Sequence, residues 1–209
     1  EYYGDLHMLK AGVLSADAVT TVSPTYAREL LSPDSGVGLD GVFRSRGDDL
    51  VGILNGIDYA HWSPATDPNL PARYDAENAA NKGRCKAALL HELDLHVEPE
   101  RPLLVSLGRI DEQKGSDILA ASLGEIVRTG ARVVIAGSGD QRLMSLLEDA
   151  AQSSNDEALF LGAVSEPMSH RLIGAADAVL MPSRYEPCGL VQQYAQRYGA
   201  PPVARAPGG

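Results

Sequence analysis

Short apolar runs alternate with amphipathic segments from about residue 101 onward, and this alternation limits the possible folds more than any other feature. The apolar runs are "RPLLVSLG", "ARVVIAG", "ALFLGAV", "DAVLMPS" and "APPVARA". The segments between them, such as "SDILAASLGEIVRTG" and "QRLMSLLEDAAQ", have the period of a helix. Continuous apolar strands that alternate with helices predict an α/β fold, a doubly wound parallel sheet covered on both faces. Right-handed crossovers then place every strand-to-helix loop at one edge of the sheet, where such sheets bind ligands.

The first hundred residues have a less regular pattern. We predict a helix in "HMLKAGVLSA", a strand in "DAVTTVS", and a helix in "SPTYARELL" with Ser23 as N-cap and Pro24 in its first turn. Residues 32–50 read as a polar, Gly-rich loop, followed by a short strand in "VGILNGID". Residues 58–76 contain three prolines and no period, which predicts an ordered linker before a helix in "ENAANKGRCKAALLHELDL".

Composition narrows the possible partners. The 209 residues are 44% hydrophobic, enough for a core, and the net charge of -10 argues against a general nucleic-acid or anionic-membrane surface. No apolar run reaches the roughly 18 residues of a membrane span. The two cysteines, Cys85 and Cys188, read as reduced thiols. The chain begins without methionine and ends just after a strand, so we expect it to be a piece of a longer protein.

The loop after the first apolar run, "GRIDEQKGSD", carries two cations. Arg109 follows the strand directly, and Lys114 lies just before Gly115 and a helix start. Two cations beside a helix N-terminus favour a phosphate or diphosphate site, although two solvated charges remain the alternative. The next loop, "GSGD", lacks the last glycine of a dinucleotide-binding pattern, which favours a tight turn with Asp140 as helix N-cap.

The loop "PSRYEPCGL" after the fourth run carries a carboxylate and a thiol. Glu186 precedes a proline, and Gly189 lies at a helix start where N–H groups are exposed, so the loop could hold sugar hydroxyls. The alternative for Glu186 is a partner of the helix dipole, and a packed thiol explains Cys188 better than a nucleophile does. The five histidines are scattered along the sequence and predict no metal cluster: His7, His61, His91, His96 and His170.

Four motifs in order resemble the starch and glycogen synthases, glycosyltransferase family 5. They are "LKAGVLSADAVTTVSPTYAREL", "GILNGIDYAHWSPATDP", "GRIDEQKGSDIL" and "PSRYEPCGLVQQYAQRYG". The stretches "DEQKGSDILAAS" and "GVGLDGVFRSRGDDLVGILNGID" are most similar to the granule-bound and related starch synthases of plastids. The resemblance implies the GT-B fold of two Rossmann-like domains. On that basis residues 1–52 end the N-terminal, acceptor-side domain, 53–100 form the crossing and linker, and 101–209 belong to a truncated donor-binding domain.

The resemblance also implies roles for single residues. Arg109 and Lys114 match the pair that contacts the donor diphosphate, and Glu186 matches the acidic residue beside the transferred glucose. The remaining matches are donor-binding backbone positions: Cys188, Gly189, Leu190, Gly208 and Gly209. Here Pro207 precedes the glycine pair where the family usually has threonine, and Val164 stands about where bacterial members often have an aromatic over the adenine.

The implied reaction transfers glucose from ADP-glucose to the non-reducing end of an α-1,4-glucan with retention. The resemblance implies no metal or other cofactor, and a plastid location for a eukaryotic protein or a cytoplasmic one for a bacterial protein. Three alternatives stay open: a GT-B enzyme that uses UDP-glucose, a catalytically silent glucan-binding homologue, and a nucleotide-binding regulator. The sequence predicts no oligomeric state, and we expect the 209 residues alone to have little transferase activity.

Overall fold

The computed structural model describes residues 7–205, which divide into two compact units. The first unit contains residues 7–56 together with Tyr185–Gly189. The second contains Ile57–Arg184 and residues 190–205.

The first unit contains four helices around two short strands. Its elements are α1 (Met8–Ser15), β1 (Val19–Thr21), α2 (Pro24–Glu29), α3 (Pro33–Gly36), α4 (Asp40–Arg44), a 3-10 turn (Gly47–Asp49) and β2 (Leu50–Gly52). The two strands pair in parallel, with Val19 opposite Leu50. The Ser23 hydroxyl accepts a hydrogen bond from the Tyr26 amide at 2.9 Å, and Pro24 lies in the first turn of α2, so the predicted cap is confirmed.

The prediction of a plain loop over residues 32–50 was wrong. Helices α3 and α4 and the 3-10 turn lie there. Leu39 and Phe43 are four residues apart and both pack into a small core with Val13 and Leu30. Burial of this helical face outweighs the glycines that made the segment read as a loop, because tertiary packing overrides local propensity.

The second unit is built on a five-stranded parallel sheet. Its strands are β3 (Leu103–Leu107), β4 (Arg132–Ala136), β5 (Ala158–Phe160), β6 (Ala178–Met181) and β7 (Pro202–Ala204). Its helices are α5 (Asn81–Glu92), α6 (Ser116–Arg128), α7 (Gln141–Gln152), α8 (Glu166–Ala175) and α9 (Leu190–Arg197). The strand order is β5-β4-β3-β6-β7, and each neighbouring pair is parallel. The predicted parallel sheet is therefore confirmed.

Helices cover both faces of this sheet, as a doubly wound fold requires. Successive strand residues point to opposite faces, so Val134 joins one apolar cluster while its neighbour Val133 joins the other. The first cluster includes core residues of α5, α8 and α9, such as Leu172. The second includes core residues of α6 and α7, such as Leu123. The α/β, Rossmann-like class predicted from the sequence is thus the observed one.

The irregular segment before α5, residues 57–80, is held by buried polar contacts rather than by regular structure. The Tyr74 hydroxyl lies 2.9 Å from the carbonyl oxygens of both Gly174 and Tyr198. Lys82 donates to the same two carbonyls at 3.1 and 2.9 Å. Along residues 7–205, no helix combines the length and apolar character that crossing a bilayer requires. Both cysteines are buried and unlinked, as predicted.

Candidate functional site

A cleft lies at the carboxyl edge of the second unit's sheet, where β3 and β6 end side by side. We call it the edge cleft; the residues that line it are Ser106, Leu107, Gly108, Arg109, Ile110, Lys114, Ser116, Leu119, Leu180, Met181, Pro182 and Ser183. It contains both cations that the sequence analysis singled out in the β3–α6 loop. Arg109 and Lys114 therefore share one hollow, which is the first condition for a joint anion site.

Asp111 contacts the Arg109 side chain and the Lys114 backbone, and so anchors the loop that carries both cations. The Arg109 guanidinium contacts the Asp111 carboxylate at 3.0 Å and donates to Gln113 Oε1 at 3.0 Å. The Lys114 backbone N–H donates to the other Asp111 oxygen at 2.8 Å. Arg109 is exposed and Lys114 is half-buried. One carboxylate thus organises both positions, and an arriving polyanion would compete with it for Arg109.

The glycines of the neighbouring loops serve contacts between the loops. A Cβ at Gly139 would lie 2.2 Å from the Ile110 carbonyl oxygen, and one at Gly137 would overlap the Gly108 carbonyl. Ile110 and Gly139 form a parallel bridge. Asp140 caps α7 by accepting from the Leu143 amide at 3.0 Å. The predicted capping role of Asp140 is confirmed, whereas the predicted tight turn is wrong: the segment runs beside the β3–α6 loop, and its glycines allow that close approach.

Arg184 makes a contact beside the edge cleft that the sequence analysis did not predict. Its guanidinium makes two 2.7 Å bonds to the two carboxylate oxygens of Asp117 and a 2.7 Å bond to the Glu112 carbonyl. The Arg184 N–H donates to the Gln113 carbonyl at 2.8 Å. These bonds tie the chain just after β6 to the β3–α6 loop. No local signal could have found this pair, because Asp117 and Arg184 are 67 residues apart.

The N-terminus of α6 already holds a carboxylate. Asp117 lies in the first helical turn, where negative charge is favourable. The hydrogen bond from Arg184 lowers the pKa of Asp117 to about 2. The N-terminus of α6 is therefore less favourable for a further anion than the sequence predicted. An anion in the edge cleft would be neutralised mainly by Lys114 and Arg109.

The other predicted site residues are not among those that line the edge cleft. Glu186 and Cys188 are buried and belong to the first unit. Gly189 has a φ of 72°, a conformation that favours glycine, and α9 begins at the next residue, Leu190. Arg109 and Lys114 belong to the second unit, and the convergence of Glu186 with them stays a prediction.

Two predicted positions and both departures from the family pattern remain. Pro207, Gly208 and Gly209 lie outside the described residues. Val164 is half-buried and packs against the apolar cluster that includes Leu172. Its side chain contributes to the core, which leaves it poorly suited to take the place of an aromatic platform for a base.

Two family models match the chain. The model described as "Glycosyl transferases group 1" matches residues 101–209, and "Starch synthase catalytic domain" matches residues 1–45. The first match covers more than half of the chain and contains the whole five-stranded sheet.

Curated relatives match along the full chain. A glycogen synthase of Anaeromyxobacter sp. (strain Fw109-5) is 49% identical over 209 residues, which are 100% of this chain and 44% of that protein. A glycogen synthase of Desulfatibacillum aliphaticivorans is 43% identical over 210 residues, with the same shares. The chain thus spans less than half the length of these relatives. Both relatives are bacterial, so they lend no support to a plastid location or to the granule-bound type.

Solved structures agree on the fold. The catalytic domain of starch synthase IV from Arabidopsis thaliana, bound to ADP and acarbose, has a TM-score of 0.91 and 36% identity, and covers 96% of this chain and 42% of that one. A sucrose-phosphate synthase from Thermosynechococcus elongatus has a TM-score of 0.66 and 23% identity, covering 96% and 43%. The second likeness extends to the fold alone.

Proposed function

This chain belongs to the glycogen and starch synthases among the group 1 glycosyltransferases, and from that premise we propose that it supplies the donor-binding part of a glucan synthase. The proposed reaction transfers glucose from ADP-glucose to the non-reducing 4-hydroxyl of an α-1,4-glucan, with retention of configuration. One observation carries the proposal: Arg109 and Lys114 line the same cleft at the carboxyl edge of a parallel sheet.

The choice of donor rests on charge and on one relative. A nucleoside diphosphate carries several negative charges, and two cations in one cleft complement them. The starch synthase IV structure, 36% identical to this chain, contains ADP. This supports an adenine nucleotide over the uridine nucleotide of the alternative enzyme class. Competition between ADP-glucose and UDP-glucose in one reaction tests the choice directly.

The two cations and Glu186 have different tasks in the proposed mechanism. As the bond between glucose and diphosphate breaks, negative charge builds up on the leaving diphosphate, and Arg109 and Lys114 stabilise it. Removing one such preorganised donor typically costs about 3–4 kcal/mol of transition-state stabilisation. Glu186 positions the glucose and balances the positive charge that develops at its anomeric carbon. The acceptor hydroxyl attacks the face that the diphosphate leaves, which retains the configuration.

The rigid frame around the two cations suits this task. The Arg184–Asp117 pair fixes the loop that carries both cations against the end of β6. Preorganised charges stabilise a transition state more than mobile ones because the protein does not have to reorganise during the reaction. We expect no metal at this step, since the cations take its role. The bacterial origin of the relatives favours the cytoplasmic alternative for the location.

The experiment is an elongation assay on the complete protein, with labelled ADP-glucose and glycogen. We expect Lys114→Gln to lower kcat/KM by roughly 10²–10³-fold, as removal of a transition-state donor does. The matched control is Arg128→Gln, at the far end of α6, which should leave kcat/KM within about twofold because Arg128 is exposed and outside the edge cleft. Unchanged activity in Lys114→Gln would refute the diphosphate assignment.

A second variant separates an active enzyme from a silent homologue. Glu186→Gln should lower kcat strongly while ADP binding persists, because the carboxylate acts on glucose and not on the nucleotide. If the complete wild-type protein binds glucan but transfers no glucose, the silent glucan-binding alternative holds instead. Since the chain spans 44% of its curated relatives, the 209 residues alone should transfer little glucose.

A further inference from the structure

Three metal-ligating side chains meet on the surface of the second unit, although they are far apart in sequence. His61 comes from the irregular segment before α5, and Glu166 and His170 come from the first turns of α8. Glu166 and His170 are four residues apart, so they lie on one helix face. One ligand atom of each residue lies within 4.8 Å of the other two. His61 Nε2 is already 2.8 Å from a Glu166 oxygen.

A buried carboxylate fixes the tautomer of His170. Nδ1 of this ring lies 2.7 Å from Asp67 Oδ2, and both side chains are buried. The same Asp67 oxygen also accepts a hydrogen bond from the Tyr198 hydroxyl at 2.6 Å. Asp67 Oδ2 thus serves as the acceptor of this cluster, and Nδ1 of His170 is placed to donate to it. When Nδ1 donates in this way, Nε2 is the ring nitrogen that can serve as a metal ligand.

The other ring nitrogen of His170, Nε2, lacks the kind of hydrogen bond that Nδ1 makes. It is buried, and among residues 7–205 it has no hydrogen-bond partner. Buried polar atoms nearly always have a partner, so an orphan atom of this kind calls for one. The ring cannot easily turn to find it, because Trp62 stacks on it at 3.8 Å with the planes 11° apart. His61 stands edge-on to the same ring, with centroids 5.1 Å apart.

We propose that His61, Glu166 and His170 bind a divalent transition-metal ion of the Zn²⁺ type. Two imidazoles and one carboxylate are a common protein ligand set for Zn²⁺, and a water completes the coordination. The bond from His170 Nδ1 to Asp67 is the outer contact that orients metal-binding histidines. His61 and Glu166 are at least half exposed, so they can close onto an ion held by the fixed His170.

The plain alternative is an exposed ion pair between His61 and Glu166. Such pairs contribute little to stability, and this one leaves His170 Nε2 without a partner. A metal ion uses all three groups and joins the irregular segment to α8. The ligands are different residues from those that line the edge cleft. Metal binding here can therefore be tested independently of the proposed transferase reaction.

The test is a titration of the complete protein with Zn²⁺ in metal-free buffer, followed by calorimetry, with Co²⁺ as a spectroscopic probe. We expect one ion per chain, visible Co²⁺ bands of a four-coordinate site, and a rise in thermal midpoint on adding Zn²⁺. His61→Gln and Glu166→Gln should each weaken binding at least tenfold. Asp67→Asn should weaken it about 10–100-fold through the orientation of His170.

Controls keep the test interpretable. His91→Gln removes an exposed histidine on α5 and should leave Zn²⁺ affinity unchanged. The metal-free His61→Gln and Glu166→Gln proteins should keep the wild-type circular dichroism spectrum, because both side chains are on the surface. Absence of stoichiometric binding by the wild type would overturn the proposal. Equal affinity in His61→Gln, or equal weakening by His91→Gln, would overturn it too.

Discussion

Replacing Gly115 with alanine should destabilise the second unit and disturb the loop that carries Lys114. Gly115 has a φ of 68°, and an added Cβ would lie 2.3 Å from the Pro182 carbonyl oxygen at the end of β6. Real Cβ atoms essentially never come closer than 3.0 Å, so the α6 start and the β6 end must separate by at least 0.7 Å. The obstacle is backbone, which cannot move aside as a flexible side chain could.

The expected magnitude is a sum of two contributions. The left-handed conformation costs a non-glycine residue about 1–2 kcal/mol. Overpacking against a rigid neighbour typically costs another ~1–3 kcal/mol. We therefore expect Gly115→Ala to lower the free energy of unfolding by about 2–5 kcal/mol.

Two other glycines of the same unit separate these contributions. Gly162 has a φ of 65° and no heavy atom within 4 Å of an added Cβ, so Gly162→Ala should cost only the conformational part, about 1–2 kcal/mol. Gly124 lies inside α6 with open space around it, so Gly124→Ala should stabilise by about 0.5–1 kcal/mol. Urea unfolding monitored by circular dichroism gives all three values. Equal destabilisation by Gly115→Ala and Gly162→Ala would refute the close contact with Pro182.

Three further predictions concern charged and buried polar groups. The folded pKa of Asp117 is about 2, below its unfolded value near 4. Its pairing with Arg184 therefore stabilises the fold above about pH 4, and this contribution is lost as the pH falls toward 2. Arg184→Gln should raise the Asp117 pKa measured by NMR. Burial lowers the pKa of Lys82 in the folded protein to about 8. Between about pH 8 and 10.4, Lys82 is protonated in the unfolded chain but largely neutral in the folded one, so the free energy of unfolding should rise with pH. Lys82→Met should flatten that rise in unfolding curves measured across this pH range. Tyr198→Phe removes a 2.6 Å hydrogen bond to the buried Asp67 carboxylate and should cost about 1–3 kcal/mol in urea unfolding, and a change below about 0.5 kcal/mol would contradict that role.

The sequence predicted those parts of the fold that depend on local pattern. The strands and helices after residue 101 were recognisable because each apolar run or helical stripe is long enough to define its period. Caps such as Ser23 and Asp140 were recognisable because the capping residue and the amide it bonds are three residues apart. The loop predicted for residues 32–50 was wrong because burial of Leu39 and Phe43, not composition, decides that segment.

Contacts between distant residues could not be predicted in the same way. Arg184 with Asp117, and His61 with Glu166, are separated by 67 and 105 residues. Each side chain alone looks like an ordinary solvated charge, and only the parallel sheet and the course of residues 57–80 bring the partners together. Arg109 and Lys114 were predictable as a pair because they flank one short loop, whereas the pairing of that loop with the end of β6 was not.

The most direct test of the central claim is a ligand series titrated into the complete protein. The claim is that the β3–α6 loop binds the diphosphate of the donor, so each added phosphate should increase the effect of removing a cation. We expect Lys114→Gln to weaken ADP binding at least tenfold, AMP binding less, and adenosine binding by no more than twofold, with Arg128→Gln unchanged for all three. Equal weakening across ADP, AMP and adenosine, or unaltered ADP binding in Lys114→Gln, would contradict the account.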